Sequence, residues 1–139
     1  MKDVDLNSKL ILNLSLYGVL VGIAGVMGFV RNVEWTLWFI GWAGASAIVA
    51  KKCRMNYFLN SFVTGFLIAF LSELIKVALF DTYTENNPRF LQNLTDNRYD
   101  VDPKMYIISL GLITAIFSGL VTGFLTLGFR KFFPEKVKK

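Results

Sequence analysis

Histidine is absent from the 139 residues, cysteine occurs once, proline three times, and charged residues make up only 18% of the chain. Each shortage excludes something. Without histidine the commonest general base and the commonest transition-metal ligand are both missing. Carboxylates and a single thiol are a poor donor set for zinc or iron, so neither a metal nor another cofactor is expected. The lone Cys53 cannot close an intramolecular disulfide, which removes the disulfide-stapled secreted scaffolds. It lies in a Lys-Lys-Cys-Arg run that would favour the thiolate. It reads as an ordinary juxtamembrane cysteine or, alternatively, as a reactive or acylated thiol.

What replaces the missing polar groups is apolar bulk. Hydrophobic residues are 54% of the chain and the mean hydropathy is +0.48, a balance that excludes intrinsic disorder and identifies lipid as the solvent. The net charge of +5 then records membrane orientation and contact with anionic lipid, and no nucleic-acid partner is expected. Four apolar runs stand out, at 10–30, 33–50, 57–80 and 105–129. Each approaches the length of about 20 residues that a helix needs to cross a hydrocarbon core of about 30 Å. None shows the period-two polarity of a membrane β-barrel strand. The sequence therefore predicts an all-α, polytopic membrane protein, a four-transmembrane-helix bundle forming one integral domain over 1–139. The first run continues to Arg31 without a small-residue cleavage site, so it is read as a retained span rather than a signal peptide.

The connections differ in length. Arg31 and Asn32 form a tight hairpin, 51–56 joins spans two and three, and the long segment 81–104 joins spans three and four. Lys2, Lys9, Lys51, Lys52, Arg54, Arg130, Lys131, Lys136, Lys138 and Lys139 fall on the side of the termini, against Arg31, Arg89, Arg98 and Lys104 on the other. The positive-inside rule places both termini in the cytoplasm. The basic tail at 130–139, with Phe132 and Phe133, reads as an anchor to anionic lipid. In the 81–104 loop, Asn87-Pro88 followed by Arg-Phe-Leu-Gln-Asn-Leu predicts a short interfacial helix, with Phe90, Leu91 and Leu94 facing lipid or the bundle mouth. The stretch from Thr95 to Pro103 reads as irregular. Asp96, Asp100 and Asp102 match no calcium loop, and Asn93-Leu94-Thr95 fits a glycosylation sequon.

Glu73 and Lys76 carry the strongest functional signal. A charge in hydrocarbon costs on the order of 2.5–3.5 kcal/mol on insertion scales, so an ionisable pair inside span three marks a site or a packing device. Their i, i+3 spacing puts them on one helix face, and Lys76, nearer the end, can snorkel to the interface. Asn60, Thr64 and Ser72 extend that face into a polar stripe, together with Ser61, Gly65 and Ala69, while Phe62, Phe66 and Phe70 point elsewhere. Such a stripe must meet protein or water, either a wet passage or a dry, hydrogen-bonded contact. Gly18 and Gly22 in span one and Gly111, Ala115, Gly119 and Gly123 in span four form small-residue rows that predict close helix packing, within one chain or between copies in a homo-oligomer. In span two, Trp35 and Trp38 fit the aromatic interface belt, and Trp42 is deeper and packs. The short echo of Val63-Thr64-Gly65-Phe66-Leu67 in Val121-Thr122-Gly123-Phe124-Leu125 is read as convergent packing sequence.

The four-span layout, the Phe-rich third helix leading into Phe80-Asp81-Thr82-Tyr83, and Asn86-Asn87-Pro88 together resemble small four-span bacterial membrane proteins classed as domains of unknown function. The resemblance implies a similar helical bundle in a bacterial inner membrane and no catalytic residue. The sequence lacks the first-span glutamate of small four-span exporters and the Gly-Asn and Phe-box patterns of fluoride channels. No nucleophile, base and orienting group can be assembled, so the expected role is non-enzymatic, structural or accessory. The alternative is a small oligomeric transporter or channel using Glu73 and Lys76 for a proton, cation or solute.

Overall fold

A computed structural model describes residues 6–30, 33–53, 55–96 and 101–133. Among these residues the protein is all-helical: α1 (Ser8–Val26), α2 (Glu34–Lys52), α3 (Tyr57–Ala78), α4 (Phe80–Asn86), α5 (Pro88–Asp96) and α6 (Pro103–Arg130). The Arg31-Asn32 hairpin, Arg98, Asp100 and the tail from 134 onward lie outside the described residues. Three helices, α1, α3 and α6, are long and apolar enough to cross a membrane. The helix α2 matches α1 in length at 19 residues. Its three tryptophans, its glycine and alanine content, and Glu34, Lys51 and Lys52 at its ends make it less apolar.

Local chemistry sets the helix ends. Asn7 caps α1 by accepting from the Leu10 amide at 3.2 Å, while its own N–H donates to Asn60 Oδ1 at 2.8 Å and ties the start of α1 to α3. The other end of α1 stops at Gly28, whose φ of +72° is open to glycine at little cost. The orphan carbonyls there are taken by the next connection: Asn86 Nδ2 donates to the Val26 carbonyl and Asn87 Nδ2 to the Gly25 carbonyl, both at 3.1 Å. Asn56, at φ 51°, turns the chain into α3. Asp102 accepts from the Lys104 and Met105 amides, and Pro103 opens α6.

The long connection is more helical than its composition suggests. The chain from Phe66 to Asn87 contains neither glycine nor proline, so after a kink at Leu79 (φ −109°, ψ 39°) it resumes as α4. Proline arrives only at 88, where it starts α5, and α5 continues through Thr95 and Asp96, part of the stretch expected to be irregular. Leu94 is buried, while Leu91 stays exposed.

The four long helices pack side by side with alternating direction. Gly18 lies over Ile68 and Gly22 over Ser72, so α1 and α3 run parallel. Trp42, Ser46 and Ala50 meet Ser118, Thr122 and Arg130, so α2 and α6 are parallel as well. Phe58 covers Gly123, Phe62 covers Gly119 and Glu73 covers Gly111, which makes α3 and α6 antiparallel. The bundle therefore has a termini end, with Asn7, Cys53, Asn56 and Arg130, and a cap end, where α4 and α5 lie. Cys53 is buried at the end of α2, which withdraws it from solvent chemistry. The two copies of Val-Thr-Gly-Phe-Leu do different work: Gly65 receives Thr122, and Gly123 receives the ring of Phe58.

Candidate binding pocket

The polar stripe of α3 divides between two neighbours and two chemistries. Toward the termini end it is dry. Ser61 Oγ donates to the Thr122 carbonyl at 3.1 Å and shares a 2.5 Å hydrogen bond with Thr126 Oγ1, and Thr122 Oγ1 returns a bond to the Ser61 carbonyl at 2.9 Å. Ser46 of α2 joins the same carbonyl of Thr122 at 3.0 Å. Such reciprocal bonds satisfy hydroxyls that water would otherwise have to solvate. Asn60 and Thr64 belong to this end. Asn60 holds Asn7 and the turn at Asn56, and Thr64 Oγ1 donates back to the Asn60 carbonyl at 2.8 Å. The small-residue rows account for the closeness: a β-carbon on Gly18 would stand 2.1 Å from the Ile68 carbonyl oxygen, and one on Gly65 would stand 2.6 Å from that of Ser118. Ala115 is fully buried.

At the cap end the helices separate. A cavity of about 390 Å³ opens between α2, α3 and α6 beneath α4 and α5. Its floor is Ala69, Trp42 and Ser118, where Trp42 Nε1 donates to Ser118 Oγ at 2.7 Å. Trp35 and Trp38 of α2, Tyr83 of α4, Phe90 of α5, and Tyr106 and Phe117 of α6 line its sides. The rings touch one another: Phe117 meets Trp42 edge-on at 6.1 Å, and Phe90 links Tyr83 (5.3 Å) to Tyr106 (6.3 Å).

Three charges stand in this aromatic wall. Lys76 Nζ lies 2.9 Å from Glu73 Oε1, 3.3 Å from Glu34 Oε1 and 5.9 Å from the centre of the Tyr83 ring. Its stem is packed against Gly25 of α1, where a β-carbon would come within 3.3 Å of Cε. The Lys76 side chain is 9% exposed, that of Glu73 18% and that of Glu34 38%, so the ammonium is the sealed partner and the carboxylates face the opening. Glu34 occupies the first turn of α2, where the helix dipole favours a negative charge. Burial pushes the Tyr83 phenol above its ordinary range, with Lys76 pulling the other way.

The predicted polar set is thus split. Glu73 and Lys76 meet at the pocket, Ser72 is fully buried one turn away against Gly22 of α1, and Asn60 and Thr64 lie at the opposite end of α3. Glu34 joins the pair across 42 positions of sequence. Its signal was an acid at the very start of the second apolar run, level with the Lys76 end of the third. Searches against protein-family models, curated proteins and solved structures return no match to the chain.

Proposed function

We propose that the chain is a four-span membrane protein, termini in the cytoplasm, that binds a small solute in the cap-end pocket and catalyses no reaction. The fourth span is supported by the path of α2. It runs beside α6 in the same direction, from Trp42 at Ser118 to Ala50 at Arg130, so a bilayer that holds α6 also holds α2. Leu12, Leu16 and Leu20 on α1, Phe39 and Ile40 on α2, and Ile113 and Phe124 on α6 are exposed, faces suited to acyl chains. Lys51, Lys52, Arg130 and Lys131 gather at the termini end, which favours the cytoplasm there.

The observation that carries the binding reading is the 390 Å³ cavity around the Glu34–Lys76–Glu73 cluster. A charge triad serving only to seal the bundle would be covered by side chains, whereas this one borders open volume of the size that holds small ligands. A structural or accessory role is the second reading, favoured by the dry contacts of α3 with α1 and α6.

The test uses the full chain in lipid nanodiscs and proteoliposomes with a mixed panel of anionic, neutral and cationic solutes. Thr114 lines the cavity, and its hydroxyl bonds only within its own helix, to the Leu110 and Gly111 carbonyls. Thr114→Trp should therefore fill the pocket and abolish binding while leaving the unfolding midpoint in place. A panel in which no member binds the wild type would leave the structural role as the better reading. Flux of a bound solute would further mark the protein as a transporter.

A further inference from the structure

The charged groups that border the cavity are unbalanced. Two carboxylates face one ammonium, so the cluster carries one surplus negative charge. Lys76 already directs its Nζ at both Glu73 Oε1 and Glu34 Oε1. An ionised carboxylate has about four lone-pair positions, so the pair retains acceptors after Lys76 is served. An arriving anion would meet these carboxylates and an ammonium that is already engaged. Among the described residues no group of three His, Cys, Asp or Glu could hold a metal ion. Half of the remaining lining residues are aromatic, and ring faces are negative and attract cations within about 6 Å of their centroids. Lys76 over Tyr83 shows that geometry inside the cavity.

We propose that the solute is an organic ammonium ion with an apolar body, its charged head at the carboxylate acceptors of Glu34 and Glu73 that Lys76 leaves unused and its body against Trp38, Trp42 and Phe117. This rests on the pocket being a solute site. The volume of about 390 Å³ suits such a molecule and is far larger than a desolvated inorganic cation needs. The surplus acceptors take an N–H of a protonated amine, and the rings take a quaternary head.

All three tryptophans of the chain line the cavity, so their fluorescence reports occupancy directly. The full chain in phosphatidylcholine nanodiscs is titrated with phenylpropyl-trimethylammonium, with its uncharged tert-butyl isostere and with phenylpropanesulfonate, empty nanodiscs being subtracted. The ammonium should saturate, the isostere should bind at least about tenfold more weakly and the sulfonate not at all. Glu34→Gln/Glu73→Gln turns the cluster from one surplus negative charge to one positive. It should remove the ammonium preference while the isostere's affinity holds, which shows that the pocket is intact. Should the double variant lose the isostere too, Glu34→Gln alone decides, because that side chain sits in the exposed first turn of α2; an unchanged ammonium preference there overturns the proposal. Equal affinity for ammonium and isostere in the wild type, or tightest binding of the sulfonate, overturns the cation assignment and leaves a solute site. No binding by any member of the mixed panel overturns both.

Discussion

At the termini end, Ser46, Ser61, Thr122 and Thr126 hydrogen-bond across α2, α3 and α6, and glycines bring the backbones within reach. At the cap end, Glu34, Glu73 and Lys76 bond to one another beside open volume. Both ends bury polar groups in an apolar bundle and satisfy nearly all of them, Ser72 Oγ being the buried side-chain atom among the described residues without a hydrogen-bond partner. The difference lies in what is left over. Hydroxyls donate and accept in pairs and leave nothing for a ligand, whereas two carboxylates around one ammonium leave acceptors and a charge. A helix contact and a binding site can thus be drawn from one polar stripe, the division being set by where the neighbouring helices part.

Breaking the closed end should have the largest effect. Gly65→Val places a β-carbon 2.6 Å from the Ser118 carbonyl and 2.1 Å from Thr122 Oγ1, so α3 and α6 must separate. The expected cost is at least about 3 kcal/mol, the upper end for overpacking, read as loss of monodisperse protein in detergent. Gly44→Ala is the matched control, because a β-carbon there meets nothing within 4 Å; its stability should hold or rise by up to about 1 kcal/mol. Equal losses in the two variants would mean that backbone proximity is not what holds the closed end.

Next in size is Lys76→Met, which leaves Glu34 and Glu73 without their counter-charge. The cost should be about 3 kcal/mol, the low end for a broken buried pair because the pocket is open, measured as a fall in thermal midpoint at neutral pH. Glu73→Leu together with Lys76→Leu should be less damaging than Lys76→Met alone and close to wild type, since no unpaired buried charge remains. A large loss in the double variant would mean that the charges hold the bundle together.

The smallest loss from a single broken contact belongs to Ser61→Ala. It removes the bonds to the Thr122 carbonyl and Thr126 Oγ1 and should cost about 0.6 kcal/mol, the average for an interhelical hydrogen bond in a membrane protein. Ligand binding should not change, because Ser61 lies at the end away from the pocket.

Much of this was legible residue by residue. Glu73 and Lys76 stood out because charge is expensive inside an apolar run, and Gly18, Gly22, Gly119 and Gly123 because small residues at i, i+4 permit close approach. Asn87-Pro88 announced a helix start, since proline tolerates that position. Other features were not legible in physical terms. Glu34 carries no local mark of its role, because nothing in the neighbouring residues distinguishes an acid that faces solvent from one that faces a lysine on another helix. The kink at Leu79 carries no proline or glycine, and Asn60 and Thr64 share a helix face with Glu73 yet serve another end of the bundle.

The sequence by itself determined the long apolar helices: a high apolar content with rare, clustered charge favours helices whose backbone bonds are closed internally, and small-residue rows dictate which faces come close. Only the tertiary structure decided that the polar stripe is dry at one end and open at the other, that Glu34 completes the cluster around Lys76, and that seven aromatic rings of four helices enclose it. The reason is physical. Periodicity fixes the direction of a side chain on its own helix, but a cavity exists only where separate helices diverge, and that depends on how all of them pack together.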